Sequence, residues 1–270
     1  MRVGDIQIGG GAPLVLISGL NVLETLDAAL ETAEGVRKIA DRHGLPAIFK
    51  ASFDKANRSS RGSYRGPGLD GGLRILDRVK QSVGIPVTTD VHEPGQAKLV
   101  AEVVDLLQVP SFLSRQTDLV AACAATGRPI NFKKGQFMAP SDAVLAVEKA
   151  KGFGAADVMV TERGTSFGYH DLIVDLRGLL LIQDVAPVCL DATHAVQHPG
   201  AGQGVSSGDR RFVGPLARAA AAIGIDALFV ETHPDPARAP CDGACQITLP
   251  DLDRLLAQVC AIRRALESRD

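Results

Sequence analysis

The sequence predicts a (β/α)8 barrel, or TIM barrel, preceded by a short N-terminal β-hairpin. Eight short apolar runs alternate with eight segments of helical periodicity, and each run is continuous, as in parallel strands buried on both faces. The chain has 270 residues, close to the roughly 250 that one such barrel requires, and no linker or low-complexity segment divides it. We therefore expect a single barrel domain over residues 1–270, with the hairpin in residues 1–12.

The order of the elements supports this prediction. In residues 1–12, apolar and polar side chains alternate before three consecutive glycines, which is typical of a small hairpin. The eight predicted strands lie at residues 14–17, 47–49, 86–91, 106–109, 129–133, 158–163, 188–194 and 227–231. Apolar residues at helical spacing follow each strand, at 23–39, 71–83, from 93, 117–126, from 140, 174–183, 214–223 and 252–262.

A doubly wound open sheet is the alternative to the closed barrel. Such sheets often bind nucleotides through a Gly-x-Gly-x-x-Gly turn between the first strand and its helix. No predicted strand of this chain leads through that turn into a helix, and the run Gly9–Gly11 precedes its strand. The closed barrel is therefore favoured.

Composition excludes several classes of function. The formal net charge is −2, so no overall positive field favours nucleic acid or an anionic membrane. No apolar run reaches the 18 or so residues of a transmembrane helix, and the first residues lack the apolar core of a signal peptide. The five cysteines are odd in number and irregularly spaced, as expected of reduced thiols. We expect a cytoplasmic protein with neither nucleic acid nor membrane as a partner.

Polar or ionisable residues stand at or just beyond the ends of all eight predicted strands. They are Asn21, Lys50, Asp90, Gln108, Lys133, Arg163, His194 and Glu231. Because the carboxyl ends of the strands of a barrel open onto one face, these side chains are expected to converge. A single lysine or histidine there would be unremarkable, but one polar group on every strand predicts an active site.

The loop from Lys50 to Gly68 indicates what such a site binds. It carries the cations Lys50, Lys55, Arg58, Arg61 and Arg65 with only one acidic residue. A solvated basic loop is the plain alternative, but Lys133 and Arg163 would add two more cations at the same face. Arginine and lysine together suit phosphate and carboxylate groups, and no Walker-type nucleotide loop is present. The sequence thus predicts substrates with more than one anionic group.

His194, Glu231 and Asp242 form a second group of candidates. These residue types can ligate a divalent metal ion, and they can equally transfer protons and orient water. The three lie far apart in the sequence, so their spacing does not decide between these roles.

Long motifs allow a more specific interpretation. They are Lys50–Ser60 with Ser63–Gly68, Thr89–His92, Gln108–Pro110 with Phe112–Asp118, Asn131–Phe137, Thr161–Gly164 with Phe167–Tyr169, and Asp191–Gln197. Together they closely resemble the 3-deoxy-D-manno-octulosonate 8-phosphate synthases, and the resemblance covers essentially the whole chain.

The resemblance implies a reaction and its participants. Phosphoenolpyruvate condenses with D-arabinose 5-phosphate and water, phosphate is released, and the enzyme is a homotetramer of barrels that serves lipopolysaccharide biosynthesis. By matching motif, Lys55, Lys133 and Arg163 would hold phosphoenolpyruvate, with Lys50 and Gln108 nearby. Asn57, Arg58 and Ser59 would hold the sugar phosphate, helped by Arg115 of a neighbouring subunit, and Asp90 would contact sugar hydroxyls.

The resemblance also addresses the metal question. Metal-dependent members have a cysteine after the first strand that ligates together with the later His, Glu and Asp. This chain has Asn21 there, and an amide is a much poorer ligand for a transition metal than a thiolate. The segment Cys241–Gly243 also resembles the metal-independent branch. We therefore predict no metal and no other cofactor, and we assign water positioning and proton transfer to His194, Glu231 and Asp242, with Asn21 and Lys55 as further catalytic candidates.

Two alternatives remain open. A related heptulosonate 7-phosphate or nonulosonate synthase would use the same phosphoenolpyruvate half-reaction with another aldehyde. A sensor of phosphorylated metabolites would bind its ligand without turnover, but it offers no reason for His194, Glu231 and Asp242 to occur together.

Overall fold

The computed structural model describes residues 1–58, 60–200 and 207–267. A two-stranded hairpin, β1 (Arg2–Val3) and β2 (Ile6–Gln7), precedes a closed barrel of eight parallel strands. The barrel strands are β3 (Val15–Val22), β4 (Ala47–Ser52), β5 (Val87–Asp90), β6 (Leu106–Val109), β7 (Ile130–Lys133), β8 (Val158–Glu162), β11 (Val188–Asp191) and β14 (Ala227–Glu231). Each pairs with the next of these strands along the chain, and β14 pairs with β3 to close the barrel. The predicted (β/α)8 barrel and its hairpin are confirmed.

Helices surround the barrel and follow the predicted order. They are α1 (Leu26–His43), α2 (Gly68–Val83), α3 (Ala97–Val103), α4 (Thr117–Ala124), α5 (Pro140–Gly152), α6 (Leu176–Gln183), α7 (Val213–Ile223) and α8 (Leu249–Glu267). The helix expected from residue 93 begins as a 3-10 turn, Pro94–Gln96, before α3. Over the described part of the chain, no helix combines the length and the apolarity needed to cross a membrane.

Strand β3 runs further than its apolar residues predict. It continues to Val22, and its register with β4 shifts between Gly19 and Val22. A Cβ atom on Gly19 would lie 2.2 Å from the carbonyl oxygen of Lys50, so only glycine permits this close approach of the two backbones. The extension keeps Asn21 within the strand, where its side chain is only 2% exposed.

The barrel interior has two layers of different chemistry. The lower layer is an apolar cluster that includes Ile17, Ile48, Leu106, Met159 and Phe229, and Val3 and Ile8 from the hairpin region belong to it. Two positions later, several of these strands carry a buried polar residue, namely Lys50 after Ile48, Gln108 after Leu106, Thr161 after Met159 and Glu231 after Phe229. Because strand side chains alternate between faces, these polar groups point into the barrel above the apolar layer. The two layers place the candidate site at the carboxyl ends of the strands.

Two further hairpins near this face were not predicted. They are β9 (Thr165–Ser166) with β10 (Leu172–Ile173), and β12 (Gln197–His198) with β13 (Ser207–Gly208). Their segments lack the apolar and polar alternation followed by consecutive glycines that marks residues 1–12, so the sequence did not indicate them.

Candidate active site

A cavity of about 360 Å³ opens at the carboxyl ends of the barrel strands. Ten of the predicted site residues line it: Lys50, Lys55, Asn57, Arg58, Asp90, Gln108, Lys133, Arg163, His194 and Asp242. Asn21 and Glu231 are buried and hydrogen-bond to lining residues. Arg115 is exposed and is not among the residues that line this cavity, and the prediction for Ser59 falls outside the described residues.

Glu231 is the centre of a buried network. Its Oε1 accepts a hydrogen bond from Nζ of Lys50 at 2.9 Å, and its Oε2 accepts one from Nδ2 of Asn21 at 2.6 Å. The same amide group donates to Oδ2 of Asp242 at 3.0 Å. Because carboxylate oxygens only accept, the nitrogen of the Asn21 amide, and not its oxygen, faces both acids.

Asp191 links a lysine to a histidine. Its Oδ2 forms an ion pair with Nζ of Lys133 and lies 2.7 Å from Nδ1 of His194, while its Oδ1 accepts the backbone N–H of His194 at 2.9 Å. The carboxylate therefore fixes the imidazole with its Nδ1 hydrogen donated to Asp191. Nε2 of His194 then faces Glu231 and Asp242, at 3.6 Å from Oε2 and 3.8 Å from Oδ2.

Burial and neighbouring charges shift the pKa values of Asp191 and Glu231 in opposite directions. Burial raises the pKa of Asp191, but the charges of His194 and Lys133 outweigh it, so this pKa lies well below its usual range. The pKa of Glu231 is lowered in the same way by His194 and Lys50. Both acids are thus carboxylates near neutral pH, as the network requires.

The pKa values of the two buried lysines, Lys50 and Lys133, shift in opposite directions. Burial lowers the pKa of Lys50, but the surrounding carboxylates, chiefly Glu231 and Asp90, outweigh this effect and hold it above the usual range. Burial also lowers the pKa of Lys133, and there Asp191 offsets it only in part, so the net shift is downward. Three carboxylates, Glu231, Asp90 and Asp191, raise the pKa of Lys50, whereas Lys133 is stabilised chiefly by Asp191 and its pKa is lowered further by the charge of Lys50.

A chain of hydrogen bonds supports Asp90 across four neighbouring strands. The Thr161 hydroxyl donates to Oδ1 of Asn131 at 2.7 Å, and the Asn131 amide donates to Oε1 of Gln108 at 3.2 Å. The Gln108 amide in turn donates to Oδ1 of Asp90 at 2.6 Å, and Ser52 donates to Oδ2. Every link has the same direction, so the amide of Gln108 is held with its N–H groups toward Asp90.

Two arginines reach the cavity with unused hydrogen-bonding capacity. Nη2 of Arg163 donates to Oε1 of Gln197 at 2.6 Å, whereas its buried Nη1 has no acceptor among the described residues. Nη1 of Arg58 contacts the sulfur of Cys241 at 2.6 Å, and its buried Nε likewise has no acceptor in the described part of the chain. Burial raises the pKa of Cys241 to about 12, so the sulfur is a neutral thiol and supplies no negative charge to Arg58.

A metal ion fits this site incompletely. His194, Glu231 and Asp242 each offer one ligand atom, and these atoms lie within 4.8 Å of one another. However, Glu231 Oε2 and Asp242 Oδ2 both accept hydrogen bonds from the Asn21 amide nitrogen, which cannot ligate a cation. The Asn21 amide thus donates to the same two oxygens that lie 3.6 and 3.8 Å from Nε2 of His194.

Sequence reasoning missed several residues that organise the site. Asp191 binds both Lys133 and His194, Asn131 and Thr161 orient Gln108, and Gln197 holds Arg163. Asp191 carried a usable signal, because it ends a strand three residues before His194. The other three are ordinary polar residues whose partners lie on different strands, and no local pattern marks them.

Comparisons with known proteins show which family this chain matches and which proteins resemble it. The model of the DAHP synthetase I family matches residues 1–268. The chain is 52% identical over 265 residues to a 2-dehydro-3-deoxyphosphooctonate aldolase of Magnetococcus marinus, covering 98% of this chain and 92% of the relative. It is 53% identical over 267 residues to the protein of the same name from Synechococcus sp., covering 98% and 94% of the two chains. The corresponding Pseudomonas fluorescens protein is 48% identical over 269 residues, covering 99% and 96%.

Proposed function

The chain belongs to the DAHP synthetase I family, and we propose that it condenses phosphoenolpyruvate with D-arabinose 5-phosphate and water. The products are 3-deoxy-D-manno-octulosonate 8-phosphate and phosphate, for lipopolysaccharide biosynthesis in the cytoplasm. The names of the relatives, 2-dehydro-3-deoxyphosphooctonate aldolase, support this reaction.

The reaction makes one carbon–carbon bond and one carbon–oxygen bond, and it breaks another carbon–oxygen bond. The enolic carbon of phosphoenolpyruvate bonds to the aldehyde carbon of the sugar, whose oxygen takes up a proton. A water oxygen adds to the carbon that carries the phosphate ester, loses a proton to the enzyme, and phosphate departs from that carbon. The site must therefore hold two anionic substrates close together and accept a proton from water.

The observation that carries the proposal is the buried Nη1 of Arg163, which has no acceptor among the described residues. The side chain is only 5% exposed and lines the cavity together with Lys55 and Lys133. Burying a guanidinium group without an acceptor is costly, so this arrangement favours an anionic ligand at that nitrogen. We assign the phosphate and carboxylate of phosphoenolpyruvate to Arg163, Lys133 and Lys55, with Lys50 and Gln108 beside them.

The sugar phosphate is assigned to Asn57, Arg58 and Ser59, and the sugar hydroxyls to Asp90. Burial raises the pKa of Asp90, but the charges of Lys50 and Lys55 outweigh this effect, so it is an ionised acceptor. Asp90 already accepts from Gln108 and Ser52, and it lines the cavity.

Arg115 belongs in this proposal to the site of a neighbouring subunit in a homotetramer. It is exposed and lies just beyond Phe112, whose side chain is 52% exposed. Phe137 and Phe167 are 57% and 65% exposed, and their loops adjoin: Ser166 donates its N–H to the Gln136 carbonyl, and Gly135 lies close to the Ser111 carbonyl. Exposed phenylalanines on adjoining loops are typical of a surface covered by another subunit.

His194 is the group best oriented to accept the proton from water. Whenever the imidazole is neutral and donates its Nδ1 hydrogen to Asp191, the lone pair of Nε2 lies on the side of Glu231 and Asp242 and can accept a proton. The negative charges of these acids stabilise the imidazolium that results. Asn21 holds both acids in place, so we infer that this cluster works without a metal ion.

A heptulosonate 7-phosphate synthase is the second candidate, because the matching family is described by the DAHP synthetase name. A nonulosonate synthase would share the same half-reaction, and a metabolite sensor would bind phosphoenolpyruvate without releasing phosphate. The octulosonate, heptulosonate and nonulosonate synthases differ in the aldehyde that they accept.

One assay separates these candidates. Phosphate release from phosphoenolpyruvate is measured with arabinose 5-phosphate, erythrose 4-phosphate or N-acetylmannosamine, each with and without a chelator. We expect turnover with arabinose 5-phosphate that the chelator does not abolish. Arg163→Gln should remove activity, whereas Arg177→Gln, which changes an arginine paired with Asp175 on the surface, should not. Preference for erythrose 4-phosphate, or no turnover with any aldehyde, would contradict the proposal.

A further inference from the structure

The ring of Phe229 lies beneath two lysines of the site. Phe229 is on β14, its side chain is fully buried, and it belongs to the apolar layer inside the barrel. Nζ of Lys133 is 3.2 Å from the centroid of the ring, and Nζ of Lys50 is 5.6 Å from it. Both distances are within the roughly 6 Å over which a cation is attracted by the face of an aromatic ring.

The other members of the apolar layer offer no such attraction. Ile17, Leu106 and Met159 are aliphatic, so an ammonium group above them would lose its water without compensation. Lys133 already pairs with Asp191 and Lys50 with Glu231, so a further carboxylate in place of the ring would leave these paired groups with a net negative charge. The ring attracts the ammonium groups through its quadrupole and leaves their net charge unchanged.

Contact with a ring leaves Lys133 with an N–H donor for a ligand. An ammonium group has three N–H donors, and among the described residues the hydrogen bond of Lys133 goes to Asp191. A second side of the ammonium group faces the ring, which accepts no conventional hydrogen bond. A donor of Lys133 is thus left for a ligand in the cavity, which Lys133 lines.

We propose that Phe229 is a positioning residue for anion binding, whose ring face holds the ammonium group of Lys133 charged and directed toward the substrate phosphate or carboxylate, with Lys50 as a second, more distant cation over the same ring. This inference rests on the proposed function for the identity of the anion. It does not rest on it for the contact between the ring and the two lysines.

Fluorination of the ring tests the proposal with little change in shape. Phenylalanine carrying one, two or three ring fluorines is placed at position 229, since each fluorine withdraws electron density from the ring face. Binding of phosphoenolpyruvate and of inorganic phosphate is measured by calorimetry, and turnover is measured with arabinose 5-phosphate. We expect both affinities to fall stepwise with fluorine number, by about 3- to 30-fold over the series, the range of a cation–π contact.

Phe132 provides the matched control. It is also on a barrel strand and is 2% exposed, but it belongs to the core between strands and helices, and no cation lies over its ring among the described residues. The same fluorinated residues at position 132 should leave anion affinity unchanged. Phe229→Leu, which keeps the site apolar but removes the ring, should bind both anions at least as weakly as the trifluoro variant.

The outcomes separate this inference from the proposed function. Affinities that stay constant or rise along the series at position 229, or that fall equally at position 132, overturn the role of Phe229. A stepwise fall confined to position 229 supports it even if arabinose 5-phosphate is not turned over, a result that would contradict the proposed function alone. Wild-type protein that binds neither anion overturns both.

Discussion

Nδ2 of Asn21 donates a hydrogen bond to Oε2 of Glu231 at 2.6 Å, within a barrel interior where both side chains are almost fully buried. Glu231 is one of three residues whose ligand atoms lie close enough together to hold a metal ion. The Asn21 amide donates hydrogen bonds to both acids of this group, Glu231 and Asp242. This relationship makes position 21 the sharpest test of the metal question.

We predict that Asn21→Cys creates a metal site. A thiolate at position 21 would join His194, Glu231 and Asp242 and complete a four-ligand set for a divalent transition metal. Titration with Co²⁺, followed by thiolate-to-metal charge-transfer absorbance, should reveal tight binding to this variant. Asn21→Ala is the control, because it removes the amide without supplying a ligand. Equally tight binding to the wild-type protein would contradict the prediction that Asn21 excludes a metal.

We predict that the hydrogen bond from Thr161 supports binding of the sugar. Thr161→Val removes the donor to Asn131 and so leaves the buried chain that ends at Asp90 with an unsatisfied acceptor, at a cost of about 1–3 kcal/mol of folding free energy. Because Asp90 is assigned to the sugar hydroxyls, KM for arabinose 5-phosphate should rise several-fold while KM for phosphoenolpyruvate changes less.

Thr161→Ser is the matched control for this prediction. It keeps the hydroxyl and loses only a methyl group, so it should restore the KM for the sugar close to the wild-type value. A purely structural role would instead raise both KM values together in Thr161→Val, and that result would count against the proposed orientation of Gln108 and Asp90.

The sequence predicted which residues lie at the site better than it predicted which of them pair, because the pairs lie far apart along the chain. Lys50, Lys133 and Glu231 were predictable, because a barrel brings the ends of its strands together whatever their partners are. Their pairing was not predictable, since Lys50 and Glu231 are 181 positions apart and only the closure of β14 against β3 makes them neighbours. Arg115 illustrates the same limit, because its proposed target lies on another subunit.

The layering inside the barrel explains why Phe229 was not predicted as a site residue. It stands within a run of apolar residues, Ala227–Val230, that reads as ordinary core. Its relation to Lys133 becomes visible only when β7 and β14 face each other across the barrel interior. Residues that act through another side chain leave no local pattern in the sequence.

We predict an alkaline loss of affinity for phosphoenolpyruvate that depends on Lys133. Burial disfavours the charged form of Lys133, so its pKa lies below the ordinary lysine value of 10.5. The ammonium form binds the anion, and it is lost as the pH rises through this lowered pKa. The plot of kcat/KM for phosphoenolpyruvate against pH should therefore decline before the pH reaches the range in which a solvated lysine titrates.

Lys133→Arg identifies the group responsible for that decline. A guanidinium group stays protonated throughout the accessible range, so the variant should be less active overall, because its geometry differs, but should not show the same alkaline limb. Persistence of the limb in Lys133→Arg would assign it to another residue.

We predict, finally, that Lys50 and Glu231 depend on each other for stability. Both are almost fully buried, and their ion pair spans β4 and β14, so removal of one partner leaves the other charge without compensation in the barrel interior. Glu231→Gln should lower the free energy of unfolding by about 3–5 kcal/mol, measured by urea denaturation near neutral pH. The double variant Lys50→Met with Glu231→Gln should recover part of this loss, because it contains no unpaired charge at the two positions. Asp175→Asn, which breaks the surface pair with Arg177, should change stability little, since water solvates both groups. The single variant Lys50→Met completes the comparison. If the losses of the two single variants simply add up to the loss of the double variant, the two charges do not stabilise each other.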